Sequence, residues 1–249
     1  MKKIILSVAM IAAVAAVAIG ATTAYFSDVE TSTGNTFTAG AIDLKVDSQC
    51  SYNGQQSEEC GSWALADLNT LNSSKFFNFS DVKPGDSGEN TISLHVTSNN
   101  AYACAYIKNL SNNDNGINEP ESAVDSNDGP GNGELQNKIL FTVWRDTGVQ
   151  GTDGVVGKCD NVQQEGEELV VSNQPASNLA WPIANPSTGP LKTDDTYCLG
   201  VAWTLPAATD NEVQTDSMSA DIEFYVEQSR NNLNFVCPTP VIAPTGQPV

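Results

Sequence analysis

Along much of the chain apolar side chains recur at every second position, the period of a strand with one face buried. In residues 41–47 (AIDLKVD), Ile42, Leu44 and Val46 alternate with charged residues. In residues 91–97 (TISLHVT), Ile92, Leu94 and Val96 share one face and Ser93, His95 and Thr97 the other. Tyr102, Cys104 and Tyr106 fall in register in residues 102–107, and near the end Ile222, Phe224 and Val226 alternate against Glu223, Tyr225 and Glu227. Residues 139–144 (ILFTVW) and 196–205 (TYCLGVAWTL) read as further strands, and residues 76–79 and 169–171 as short ones. Residues 63–71 (WALADLNTL) are of ambiguous type. Gly34-Asn35, Ala39-Gly40 and above all Pro84-Gly85 mark turns, and residues 181–190 read as a proline-punctuated connection. Eight to ten short strands with no long amphipathic helix behind the N-terminus predict an all-β fold, a jelly-roll-like two-sheet sandwich.

Three stretches break the rhythm. The first 24 residues carry Lys2 and Lys3, an apolar run over 4–20 and the small residues Ala21-Thr22-Thr23-Ala24. This is the composition of a signal-peptide helix, with the cut placed between Ala24 and Tyr25. The alternative is a retained helix, since the run is about long enough to cross a bilayer at ~20 residues. The other two are polar insertions, residues 109–137 and 145–168, rich in Asn, Asp, Glu and Gly and with little to bury. The expected organisation is therefore a leader (1–24), an extended Thr- and Ser-rich segment (25–40), a sandwich (41–237) and a proline-rich tail (238–249).

Charge narrows the partners. The chain carries a formal net charge of −19; removal of Lys2 and Lys3 leaves nine basic residues against thirty acidic ones, a net charge of −21. Such a surface repels phosphates, which argues against nucleic acid and against adhesion to an anionic membrane, leaving the leader as the only membrane contact. Six cysteines, Cys50, Cys60, Cys104, Cys159, Cys198 and Cys237, all lie behind the leader. Without a CxxC pair and with one histidine in the chain, they read as disulfides of an oxidising exterior rather than as zinc ligands. Cys50 and Cys60 enclose a short polar loop and are expected to pair; the other four leave three pairings open.

No constellation for catalysis stands out. HExxH, a nucleophile elbow and a phosphate-cradling glycine loop are all absent, and His95 reads as a solvent-side strand residue. Trp144, Trp181 and Trp203 read as core aromatics rather than the lining of a sugar groove. The insertions do offer hard oxygen ligands of the kind calcium takes: Asn112, Asp114, Asn118, Glu119 and Glu121 in the first, with Gly116 for a bend, and Asp146 and Asp153 in the second. Their spacing is not that of an EF-hand loop, so solvated polar loops are the alternative. Asn72, Asn78 and Asn109 stand in Asn-x-Ser/Thr sequons, and unmodified asparagine is the default reading.

Three runs resemble the TasA/camelysin family of exported fibre and pilus subunits: TTAYFSDVETSTGNTFTAGAIDL across the cleavage point, FNFSDVKPGDSGENTISLHVTSNN through the Pro-Gly turn, and VQTDSMSADIEFYVEQSRNN near the end. The first is the most specific. The resemblance implies a jelly-roll subunit, secreted to the cell surface by way of a dedicated signal peptidase, which polymerises with itself head to tail by donor-strand exchange into biofilm-matrix fibres or bundling pili. The donor would be residues 25–33, with Tyr25, Phe26, Asp28 and Val29 at its tip. The cysteines and acidic insertions set this chain apart from shorter members and look like those of archaeal relatives. Camelysins are classed as metallopeptidases, but no residue here matches a catalytic motif. A metalloprotease and a calcium-dependent surface adhesin are the alternatives to a structural subunit.

Overall fold

A computed structural model of the chain describes residues 41–56, 60–68, 75–152 and 154–239. Within them lie thirteen strands: β1 (Asp43–Tyr52), β2 (Gln55–Gln56), β3 (Trp63–Ala66), β4 (Ser87–Thr97), β5 (Ala101–Asp114), β6 (Gly129–Pro130), β7 (Leu140–Arg145), β8 (Thr147–Gly151), β9 (Gly154–Lys158), β10 (Leu169–Pro175), β11 (Leu179–Ala184), β12 (Tyr197–Thr204) and β13 (Ser217–Gln228). A single turn of helix, α1 (Leu135–Lys138), precedes β7. The leader, the donor segment with Ala24, Tyr25, Phe26, Asp28 and Val29, and the turns before residue 41 fall outside the described residues, as do Asn72 and Asp153.

Two antiparallel sheets face each other. The larger runs β10-β7-β12-β4-β1, and the outer edge of β1 is shared by β2 and β3; the smaller runs β11-β5-β13, with β6 beside β5. The alternating residues of the sequence form the layer between them: Val46, Ile92, Leu94, Val96, Leu199 and Val201 from one sheet meet Ala101, Ala103 and Ile183 from the other. β11 lies over β7 and β12, because the Ile183 carbonyl accepts hydrogen bonds from Arg145 Nη2 (2.6 Å) and from the Tyr197 hydroxyl (3.2 Å). β13 lies toward the other flank, where Phe224 meets Phe76 edge-on at 6.1 Å and Phe76 meets Trp63 of β3 at 4.9 Å.

Several expectations shift. Residues 76–79 are not a full strand; Phe77 makes one bridge to Cys60, and Phe76 turns inward as a core residue. The first four residues of the connection expected over 181–190 belong to the strand β11, and β5 runs to Asp114, well into the first insertion. The outer face of the larger sheet is less solvated than the alternation suggests: Thr91 and Ser93 are buried, with Cys198 Sγ 3.4 Å from the Ser93 hydroxyl. Trp144 and Trp203 are buried as expected, each against a glycine, Gly200 and Gly88, at which an added Cβ would lie 2.1 and 2.4 Å from the indole.

Three disulfides use all six cysteines. Cys50 pairs with Cys60 as expected, Cys159 with Cys198, and Cys104 with Cys237. The last holds a C-terminal strap on the outer face of β5, where Phe235 packs on Tyr102 (ring centroids 5.2 Å) and the Tyr106 hydroxyl donates to the Pro238 carbonyl at 2.8 Å. Pro238, the first residue of the expected tail, is thus held against β5.

Candidate functional site

Each of the two facing sheets has two outer strands, and among the described residues three of these four edges are poor templates for a further strand. β10 breaks register twice against β7 and ends in Pro175, and beyond β1 the described residues place the two of β2 and the four of β3. On β11, Pro182 stands opposite Cys104. Ala101 exchanges both backbone hydrogen bonds with Leu191, so the odd residues of β5 direct their amides away from β13 and the even ones, Cys104 included, toward it. The ring nitrogen of Pro182 therefore sits where an amide would face outward, and that edge lacks a donor.

β13 is different. It is twelve residues long, contains no proline, and has one irregularity, between Ser219 and Asp221. Among the described residues it pairs only with β5. Ser229 N–H donates to the Asn100 carbonyl at 3.1 Å, and the register continues as Gln228 opposite Ala101 and Glu227 opposite Tyr102. The odd residues 223, 225 and 227 consequently bond to β5, while Ile222, Phe224, Val226 and Gln228 direct their amides and carbonyls to the open side. The first three of these pack against the core yet remain half-buried. Unpaired backbone and incompletely covered apolar side chains coincide along one edge, the combination that strand addition completes.

At the far end of the same strand pair the first insertion folds into an acidic cluster. Asp114 ends β5, Glu121 opens a 3-10 turn (Glu121–Ala123), and Asp216 immediately precedes β13. The chain leaves β5 through Gly116, at φ +111°, a conformation that favours glycine. Asn118 Oδ1 then accepts from Glu121 N–H (3.1 Å) while Glu121 Oε2 accepts from Asn118 N–H (3.3 Å). One carboxylate oxygen from each of Asp114, Glu121 and Asp125 lies within 4.8 Å of the others. Glu121 is 0% exposed and Asp114 3%. Mutual repulsion is felt beyond the three: burial, then Asp125 and Asp216, push the Glu134 carboxyl up, and burial, then Asp114 and Glu121, push Asp216 up. The Lys138 ammonium nearby is committed to Glu212.

Of the ligands expected from the first insertion, Asp114 and Glu121 are therefore brought together. Asn112 instead donates its amide to the Gly133 carbonyl (2.7 Å), Asn118 serves as the cap just described, and Glu119 is exposed. Asp125, Glu134 and Asp216 carried no sequence signal; a run of several acids in one polar insertion could have flagged the first two, but Asp216 arrives from a distant part of the chain.

The second insertion is built on another principle. Asp146 is 0% exposed, and both its oxygens accept backbone amides, Oδ1 from Cys159 (2.6 Å) and Oδ2 from Asn161 (2.8 Å). Glu167 likewise accepts from Gly148 and Gln164. These carboxylates organise their loop by taking its amides, and they hold it beside the Cys159–Cys198 disulfide. Asp146→Asn keeps the shape but sets an amide NH2 against an N–H donor; a loss of roughly 1–3 kcal/mol is expected, read from the urea midpoint. His95 Nε2 lies 3.2 Å from Asp47 Oδ2 across the β1–β4 pair, half-exposed, opposite the core face.

Comparison with known proteins bears on the N-terminal part. Residues 1–56 match the family described as camelysin metallo-endopeptidase. The match covers residues 1–40, β1 and β2, and it supports the TasA/camelysin resemblance at its most specific run. No curated protein matches the chain. The match is a similarity of the N-terminal part to that family, and the three disulfides of the all-β fold suit an oxidising, extracytoplasmic compartment.

Proposed function

We propose that the protein is a secreted structural subunit that polymerises head to tail by donor-strand exchange, residues 25–33 of one copy pairing with the β13 edge of the next. The observation that carries this reading is the β13 edge itself, twelve residues without proline whose open side presents the amides of Ile222, Phe224, Val226 and Gln228. A strand added there satisfies backbone groups and covers half-buried apolar side chains at once. The YFSDVETST sequence of the donor is too poor in apolar residues to form a core of its own. Cleavage after Ala24 by a dedicated signal peptidase would release that strand, so that assembly begins outside the cell. A donor segment and an acceptor edge drawn from different parts of the chain form a heterologous contact that need not close, which gives filaments rather than rings.

The role is structural rather than peptidolytic. The metallo-endopeptidase in the family's description would need a metal-bound water activated by neighbouring groups, whereas the single histidine of this chain is paired with Asp47. Negative-stain microscopy of the mature protein, residues 25–249, tests the reading: filaments are expected, and none from a chain that starts at residue 34. Filaments of unchanged abundance from the shortened chain would remove the donor-strand mechanism.

A further inference from the structure

Four carboxylates at the β5–β13 end share an unusual pattern of hydrogen bonding, and a fifth, Glu134, stands beside them. Asp114 Oδ1 accepts the Gly116 amide (3.0 Å), Glu121 Oε2 the Asn118 amide (3.3 Å), Asp125 Oδ1 the Ser126 amide (2.6 Å) and Asp216 Oδ2 the Glu134 and Leu135 amides (2.6 and 2.8 Å). In each of these four the second oxygen, Asp114 Oδ2, Glu121 Oε1, Asp125 Oδ2 and Asp216 Oδ1, is buried without a partner, and so is Glu134 Oε2. One oxygen is thus anchored by backbone and the other left bare. Nearly complete burial of Glu121 and Asp114 makes those bare oxygens costly, because water does not replace the missing donors. Thr215 does not relieve them. Its hydroxyl is 2.6 Å from the Gly116 carbonyl and 3.3 Å from both Asp114 Oδ1 and Glu121 Oε2, and it carries a single proton, which the shortest contact takes.

Anchored carboxylates with bare oxygens resemble a first coordination sphere set in place by its second. We propose that Asp114, Glu121, Asp125, Glu134 and Asp216 bind a calcium ion that fastens the end of β5 to the start of β13. The donor set is all oxygen, without histidine or cysteine, which selects a hard cation over zinc or copper. The three oxygens gathered within 4.8 Å suit a flexible sphere of metal–oxygen distances of about 2.3–2.6 Å better than the tight octahedron of magnesium. The ion also supplies the positive charge that five mutually repelling carboxylates lack. Because Asp114 and Asp216 flank the β5–β13 pairing, occupancy fixes the strand whose open edge was described above, but cation binding stands independently of polymerisation.

The experiment is calorimetric titration of calcium into the mature chain after dialysis against a chelator, with thermal denaturation in parallel. One site per chain is expected, with a melting temperature that rises on adding calcium. Glu121→Gln removes charge at constant shape and is expected to weaken calcium at least about tenfold, since affinity follows the number of charged ligands, while leaving the melting temperature in chelator unchanged or higher. Should that variant fail to fold, Asp125→Asn, at a half-buried position, carries the same expectation. Glu119→Gln, outside the cluster, should match the unsubstituted chain. Absence of a calcium heat and of a calcium-dependent melting shift would overturn the proposal, as would undiminished affinity in both Glu121→Gln and Asp125→Asn.

Discussion

A Val226→Pro chain is expected to fold and to terminate filaments. The amide of Val226 faces the open side of β13, since Ser229 bonds toward β5 and direction alternates along the strand. Proline there removes no bond to β5 and replaces one apolar side chain by another of similar size, for roughly 1.5 kcal/mol or less. It does remove a donor from the acceptor edge and sets a ring in the path of an incoming strand. Such a chain keeps its own residues 25–33, so it can add to the exposed edge of a growing filament but offers no usable edge in return. Mixed at increasing fractions with unsubstituted protein, it should shorten filaments progressively in micrographs and sedimentation. Tyr225→Pro is the control: that amide bonds to β5, and its loss leaves a Cys104-side acceptor unpaired at roughly 1–3 kcal/mol, lowering the melting temperature. Filament lengths unaffected by Val226→Pro would move the acceptor away from β13.

Removal of the Cys104–Cys237 disulfide is expected to have the largest effect on stability. It closes a loop of 133 residues, for which chain entropy predicts about 5 kcal/mol, against about 3 kcal/mol for the ten-residue loop of Cys50–Cys60. Domains are commonly stable by only about 5–15 kcal/mol, so a Cys104→Ala, Cys237→Ala double variant loses a large share of the total. The strap goes with it: Phe235 no longer covers Tyr102, and the Tyr106 hydroxyl no longer reaches Pro238. Urea denaturation of the two double variants side by side gives the test. A greater loss from Cys50→Ala, Cys60→Ala would show that local strain or packing, rather than loop closure, governs these bonds.

How far the chain could be read depended on whether the controlling interactions were local. β1, β4 and β13 were legible because a sheet with one buried face imposes a period of two on Ile42, Leu44 and Val46, on Ile92, Leu94 and Val96, and on Ile222, Phe224 and Val226. Cys50 and Cys60 were legible as a pair because only nine polar residues separate them. β11 was not, since Pro182 in LAWPIA signals a break; it is tolerated there only because β11 is an outer strand with that nitrogen facing away from β5, a fact of sheet order. Ser93, expected in solvent, is covered by a loop that Asp146 and the Cys159–Cys198 bond fold over it. The acidic cluster was half legible: Asp114 and Glu121 lie close in sequence, whereas Asp216 reaches them only through the pairing of β5 with β13.

The sequence alone therefore determined an acidic, disulfide-bonded all-β chain with a family resemblance most specific over residues 22–44, because alternation, composition and charge act over a few residues at a time. Only the tertiary structure decided which edge of the two facing sheets is open among the described residues, which cysteines close the long loops, and that Asp114, Glu121 and Asp125 gather where Asp216 leads into β13. Those depend on contacts between segments a hundred or more residues apart, such as the 133 residues between Cys104 and Cys237, and nothing in the local pattern encodes which distant partner a strand, a thiol or a carboxylate will meet.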